Sequence, residues 1–201
     1  MKKIFCLIFM FVMSVGIFGC SKTIENVDIG DVIVYGKYDE KPLQWIVLDV
    51  KDTKKLFLLK NSFGRYEYDD TESDFSGMAK WENCTLRKIL NEKFYVNAFS
   101  EQEKMTIIST ERRDNVFDKI FVLNEREICN YLEKEEKRKC SAINFASEYE
   151  TWVDSDNGFT FYLLDNVSEK FVRYVNSDGE IRDGSRNQTY AVRPAMWVKV
   201  K

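Results

Sequence analysis

Between Trp81 and Glu103, the apolar residues Leu86, Ile89, Leu90 and Phe94 fall at i, i+3, i+4 and i+8, with Arg87, Lys88, Glu92 and Lys93 set between them. That is the period of one face of an α-helix. It predicts an amphipathic helix that must bury this face against the rest of the chain, with Asn83 or Thr85 as its N-cap. Ser100 and Glu103 have the spacing of a capping box, in which each side chain satisfies the other residue's backbone N–H, so a second helix should start there. Asn124 and Glu127 repeat that outline, with Leu123 and Ile128 placed as a hydrophobic staple, and predict a third helix running toward Lys139. Ile120 to Leu123 is a short buried strand or connector.

Strand chemistry lies on both sides of these helices. Asp31–Tyr38 and Leu43–Val50 are β-branched and aromatic runs separated by turn residues, and Lys55–Lys60, apolar on both faces, reads as an internal third strand of an antiparallel meander. After Trp152, strands are expected at Phe159–Leu164, Lys170–Val175, Glu180–Arg182 and Tyr190–Val200, with Ser177-Asp178-Gly179 as a hairpin turn and Pro194 at an edge, a strand start or a bulge. The acidic stretch from Gly64 to Gly77 has no period and reads as a surface loop. The expected architecture is therefore an α+β domain, with antiparallel strands at both ends packed with two to three central helices.

Met1 to Cys20 sets location. Lys2 and Lys3 precede an apolar run from Ile4 to Phe18, too short for the roughly 20 apolar residues of a membrane span and ending in Gly19-Cys20. Ile17-Phe18-Gly19-Cys20 resembles a bacterial lipobox, which implies cleavage between Gly19 and Cys20 and a diacylglyceryl thioether on Cys20. Residues 1–19 are thus read as signal peptide, 20–28 as lipidated cysteine and short tether, and 29–201 as one domain. A tether over Ser21 to Val27 spans at most roughly 25 Å, and two or more acyl chains anchor stably. Without Lys2 and Lys3 the basic count falls to 28 against 33 acids, a net charge of about −5, with both signs interleaved, so no nucleic-acid partner is expected.

The chain has no histidine. Ser-His-Asp and Cys-His catalysis, His-bound metals and imidazole acid–base chemistry are excluded. With Cys6 in the leader and Cys20 acylated, Cys84, Cys129 and Cys140 remain; free thiols are expected, and neither a metal nor a cofactor. On a single helix over 124–139, Cys129 and Cys140 would stand roughly 16 Å apart, beyond the reach of a disulfide at about 7 Å. Trp45, Trp81 and Trp197 sit in core contexts, and Arg193 beside Pro194 reads as a structural ion pair. Trp152 differs, lying between Glu150 and the polar run Asp154-Ser155-Asp156-Asn157-Gly158. That run has turn chemistry and fails as an EF-hand loop because its glycine comes one residue early. Trp152, Asp154, Asp156 and Asn157 are the candidate ligand-binding residues; no catalytic residue is assigned.

Several motifs occur in a fixed order: Gln44-Trp45, Val47-Leu48-Asp49; Trp81, Asn83, Leu86-Arg87, Leu90-Asn91 and Phe94; Ala98-Phe99-Ser100 and Glu103; then Val192-Arg193-Pro194-Ala195 and Trp197. Taken together, this set resembles bacterial domain of unknown function 6273 from about Ile29 to Val200. The resemblance implies a mixed α+β domain, loosely like C-type lectins and formylglycine-generating enzymes, and assigns no site residues.

The functional expectation is a lipoprotein on the extracytoplasmic face of the cell membrane, held by membrane lipid through Cys20, whose domain is a binding or interaction module for an envelope glycan or protein. The alternative, less favoured, is an envelope enzyme using carboxylates or a thiol such as Cys84. Cys20→Ala should move the protein out of the membrane fraction or leave it as an unprocessed precursor, read by fractionation and intact mass; normal processing and partition would refute the anchor.

Overall fold

A computed structural model describes residues 23–70, 80–113, 115–167 and 171–200. The leader with Gly19 and Cys20, and residues 71–79 of the acidic loop, lie outside the described residues. In chain order the first strands are β1 (Val32–Tyr38), β2 (Lys41–Lys51), β3 (Lys54–Leu59) and β4 (Phe63–Tyr66). Helix α1 covers residues 85–98, α-helical over Thr85–Lys88, π-helical over Ile89–Phe94 and α-helical again over Tyr95–Ala98; α2 is Glu101–Thr106. Short strands β5 (Ile107–Ile108), β6 (Thr110–Arg113) and β7 (Val116–Asp118) precede α3 (Glu125–Tyr131) and α4 (Glu135–Arg138). The chain closes with β8 (Tyr162–Val167), β9 (Phe171–Val175), β10 (Ile181–Ser185), β11 (Tyr190–Val192) and β12 (Ala195–Lys199).

Among the described residues these strands form two five-stranded sheets, ordered β1-β2-β3-β12-β5 and β10-β9-β8-β11-β4, and a β6-β7 hairpin. The protein is mostly β, with four short helices and about 21% helix. This corrects the expected α+β domain with two to three central helices, and with it the mixed fold implied by the family resemblance. The second and third helices do start where their capping boxes predict, Ser100 with Glu103 and Asn124 with Glu127. They do not continue. The third helix breaks at Leu132, whose φ of −124° and ψ of 67° leave helical space, and α2 and α4 bury no residue. The core is therefore built from strands, including four short ones between residues 63 and 118 that have no period long enough to read.

The meander β1-β2-β3 forms as expected. Its first turn has positive φ at both Asp39 (48°) and Glu40 (60°), the backbone that matches the twist of a two-residue hairpin. Trp45, Trp81 and Trp197 are all buried. In α1, Leu86, Leu90, Phe94 and Ala98 are buried at a four-residue interval. Such a repeat drifts by about 40° per step around a helix of 3.6 residues per turn; the wider π-helical turn offsets that drift and keeps the stripe on the core. Cys84, not Asn83 or Thr85, caps this helix, its Sγ accepting from the Arg87 amide at 3.4 Å.

Two buried polar groups hold the helices and sheets together. Asp118, 2% exposed, accepts from the Trp81 indole at 2.6 Å and from Arg87 Nε at 2.7 Å. Arg193, also 2% exposed, lies where the chain passes from β11 in one sheet to β12 in the other. It donates to the carbonyls of Leu59 (3.0 Å), Arg138 (3.3 Å) and Lys60 (3.4 Å) and to the Tyr162 hydroxyl (3.2 Å). The expected ion pair is replaced by carbonyl and hydroxyl acceptors, with no carboxylate on Arg193 among the described residues.

The β9-β10 turn closes against α4. Gly179 has a φ of +88°, and a Cβ built on it would meet the Glu135 carbonyl oxygen at 2.1 Å. Gly158 shares the positive φ (+75°) but faces open space. Gly179→Ala should therefore cost about 2–5 kcal/mol, combining left-handed strain with overpacking, against about 1–2 kcal/mol for Gly158→Ala. Urea unfolding of both variants reads the difference; equal losses would exclude the Glu135 clash.

Candidate functional site

A surface cleft of about 550 Å³ opens where β4, α1 and the loop before Trp152 meet. The three contribute Arg65 and Tyr66, Ile89 and Lys93, and Ser147, Glu148 and Tyr149 respectively. The π-helical turn of α1 carries both Ile89 and Lys93. At the base is the Glu148 carboxylate, its side chain 4% exposed. It accepts from the Tyr38 hydroxyl at 2.7 Å, from the Tyr66 hydroxyl, and from Lys93 Nζ at 2.6 Å. The loop is pinned beside it by Ser147 N–H donating to Asp39 Oδ2 at 2.6 Å. Burial, and then the bond to Glu148, raise both the Tyr38 and Tyr66 phenols above their ordinary value.

Arg65 and Thr189 also border a second recess, of about 370 Å³, lined by Trp152, Phe161 and Tyr190. Trp152 is 64% exposed and Tyr149 74% exposed. Trp152 faces outward because its neighbours are fixed: Thr151 is buried, with its N–H on Asn144 Oδ1 at 3.1 Å, and Val153 bridges Thr160. The Arg65 guanidinium sits 5.7 Å from the Trp152 ring centroid, and its Nε is buried with no hydrogen-bond partner.

The other three expected ligand residues do not line either recess. Asp154 Oδ1 accepts from Asp156 N–H (2.9 Å), its Oδ2 accepts from the Ser177 hydroxyl (2.7 Å), and Asn157 Oδ1 accepts from Phe159 N–H (2.9 Å). Asn157 Nδ2 donates to the Ser177 carbonyl at 3.4 Å. This is an Asx-type turn docked on the β9-β10 hairpin, and the hydrogen bonds from Ser177 and from the turn amides hold the Asp154 carboxyl below its usual range. Trp152 thus lines the second recess, while Asp154, Asp156 and Asn157 shape the loop beside it. Sequence reasoning missed Arg65, Lys93, Glu148 and Tyr149; Tyr66 and Glu148 are 82 residues apart and share no motif.

Cys84 and Cys140 are buried, Cys129 is partly exposed, and all three are free. Burial pushes the Cys84 thiol up to about 12, so it stays protonated at neutral pH and offers no thiolate for nucleophilic chemistry. Among the described residues no group of three or more Cys, Asp or Glu side chains is placed to hold a metal ion.

The fold and its cleft define a mostly β domain with an aromatic-walled surface groove. Residues 53–200 match the family described as Domain of unknown function (DUF6273), so the chain belongs to that family. The early Gln44-Trp45 motif lies ahead of the matched stretch. No curated protein and no solved structure matches the chain.

An unfolded tyrosine ionises near 10.0, whereas folded Tyr66 keeps its proton to higher pH. Its contribution to stability is complete below pH 10 and is lost as pH rises through the folded value. Wild-type unfolding free energy should therefore fall more steeply above pH 10 than that of Tyr66→Phe, by at most about 1.4 kcal/mol per pH unit. Parallel slopes in urea titrations from pH 9 to 11 would exclude the Tyr66–Glu148 contact as their source.

Proposed function

We propose that this protein is a lipid-anchored, extracytoplasmic lipoprotein whose domain binds a glycan of the cell envelope in the cleft between β4, α1 and the 146–152 loop. The observation that carries the reading is the exposed Trp152 at the rim of an open, polar recess, beside exposed Tyr149. Large apolar rings are normally kept from water, and rings held outward next to a groove suit a ligand with an apolar face and a polar rim. A sugar ring has that character.

The anchor is proposed from the Lys2-Lys3 start, the apolar run and the Gly19-Cys20 junction. Its consequence is closeness to the bilayer: Ile24 packs against the core, Val27 is buried, and Lys55 Nζ donates to the carbonyls of Glu25 (2.9 Å) and Val27 (2.6 Å). From Cys20 the chain has only Ser21 to Thr23, roughly 10 Å at full extension, before it is fixed to the domain. A domain held this way samples ligands within the envelope layer nearest the membrane.

The buried thiol of Cys84 and the fully bonded carboxylate of Glu148 lend no support to an enzyme built on either. The test is an array of envelope-type glycans probed with the full chain in detergent, followed by titration of any hit by tryptophan fluorescence. Trp152→Ala should weaken a hit at least about tenfold with an unchanged unfolding midpoint. An array without a single hit would refute the glycan reading.

A further inference from the structure

The recess around Trp152 offers an unusual polar complement. Its polar groups other than backbone are Arg65, Gln188, Thr189 and Tyr190, and no carboxylate lines it. Tyr190 Oη donates to Gln188 Oε1 at 3.0 Å, which leaves the Gln188 amide N–H groups free to donate. Arg65 has no carboxylate partner among the described residues, and its buried Nε is unpaired. The acids nearby belong to the adjoining cleft: Glu148 is engaged with Lys93, Tyr38 and Tyr66, Asp70 accepts from the Thr85 hydroxyl, and Glu67 makes no ion pair among the described residues.

We infer that the recess selects an acidic saccharide, with the Arg65 guanidinium pairing the sugar carboxylate while Trp152 stacks on the ring. This deepens the glycan reading above and rests on it. The chemistry follows from what is left unsatisfied. A guanidinium presents up to five donors in a planar fork that matches a carboxylate, and the Arg65 guanidinium borders the recess with no carboxylate partner among the described residues. The contact with Trp152 holds the fork in place without neutralising it, since a ring face attracts a cation but contributes no counter-charge. A neutral sugar could stack on Trp152 yet would leave Arg65 without an anion; a carboxylated one satisfies both. Gln188 and Thr189 supply further donors at the rim for ring hydroxyls or the second carboxylate oxygen.

The experiment uses full-length protein in detergent and a panel of uronic, sialic and muramic acid saccharides, each paired with its carboxyl methyl ester, with affinities read by calorimetry. At least one acid should bind about tenfold or more tightly than its ester, as expected for a charge-assisted bond. Arg65→Gln should lower the affinity for that acid far more than the affinity for its ester, closing the gap between the two, with an unaltered unfolding midpoint. Acids and esters binding alike, or an Arg65→Gln variant that keeps the preference, would overturn the assignment of Arg65 while leaving the glycan reading intact. Tighter binding of short peptides through a free C-terminal carboxylate would overturn the saccharide in favour of a peptide. If no saccharide binds, acidic or neutral, both readings fail.

Discussion

One buried cation ties the two sheets of this domain together. Arg193 stands at the only residue pair, Arg193-Pro194, that separates β11 from β12, so the chain leaves one sheet and enters the centre of the other within two residues. Its guanidinium reaches β3 through the Leu59 carbonyl, the end of α4 through the Arg138 carbonyl and β8 through the Tyr162 hydroxyl. Removing a charge from water is expensive, and here no carboxylate offsets it; four oxygen acceptors and the Tyr162 ring, 5.3 Å from the guanidinium carbon, take that role. A planar fork with fixed donors can satisfy several carbonyls at once, which a lysine could not do in the same place. The position of β11 then fixes β4 through the pairs Tyr190–Tyr66 and Val192–Phe63. Arg65 lies on β4, so the site is placed by a residue that takes no part in it.

A second hub explains the helical motif of the family. Trp81 and Arg87 converge on Asp118, and Asn91 closes the same junction, its Oδ1 accepting from the amides of Lys119 and Ile120 at 3.0 and 3.1 Å and its Nδ2 donating to the Ile120 carbonyl at 2.9 Å. The polar members of the motif are therefore structural: they bind the 118–121 connector to α1, and that connector bridges β12 through Phe121 and Ala195. Motif residues buried in this way are poor guides to a ligand site, even though they mark the family well.

What could be read from the sequence follows the range of the interaction that produces it. Caps were legible because Ser100–Glu103 and Asn124–Glu127 are local devices whose chemistry lies within four residues. The β1-β2-β3 meander was legible because its strands pair with their sequence neighbours. The fold class was not, because β4 and β5 are four and two residues long and acquire strand character only from partners far along the chain, Tyr190 for Tyr66 and Val198 for Ile107. Trp152 could be picked out by its polar flanks. Asp154 to Asn157 reads as a turn in the sequence because an Asx turn uses these residues, and its side chains do bond Ser177 and the local amides.

The proposed binding of an acidic sugar raises an electrostatic question, since the chain carries a formal net charge of −3. The answer lies in distance. At physiological salt the Debye length is about 8 Å, so surface acids beyond that distance contribute little at the recess. Of the acids lining the adjoining cleft, Glu148 is paired with Lys93, Asp70 keeps its charge while accepting from the Thr85 hydroxyl, and Glu67 makes no ion pair among the described residues. What a ligand meets at Trp152 is the local charge of Arg65, 5.7 Å from the ring centroid. Such a site gains specificity from short contacts and little from long-range steering. Its association would depend weakly on net charge, and under the proposed anchor the domain would need no steering to meet ligands that share its surface.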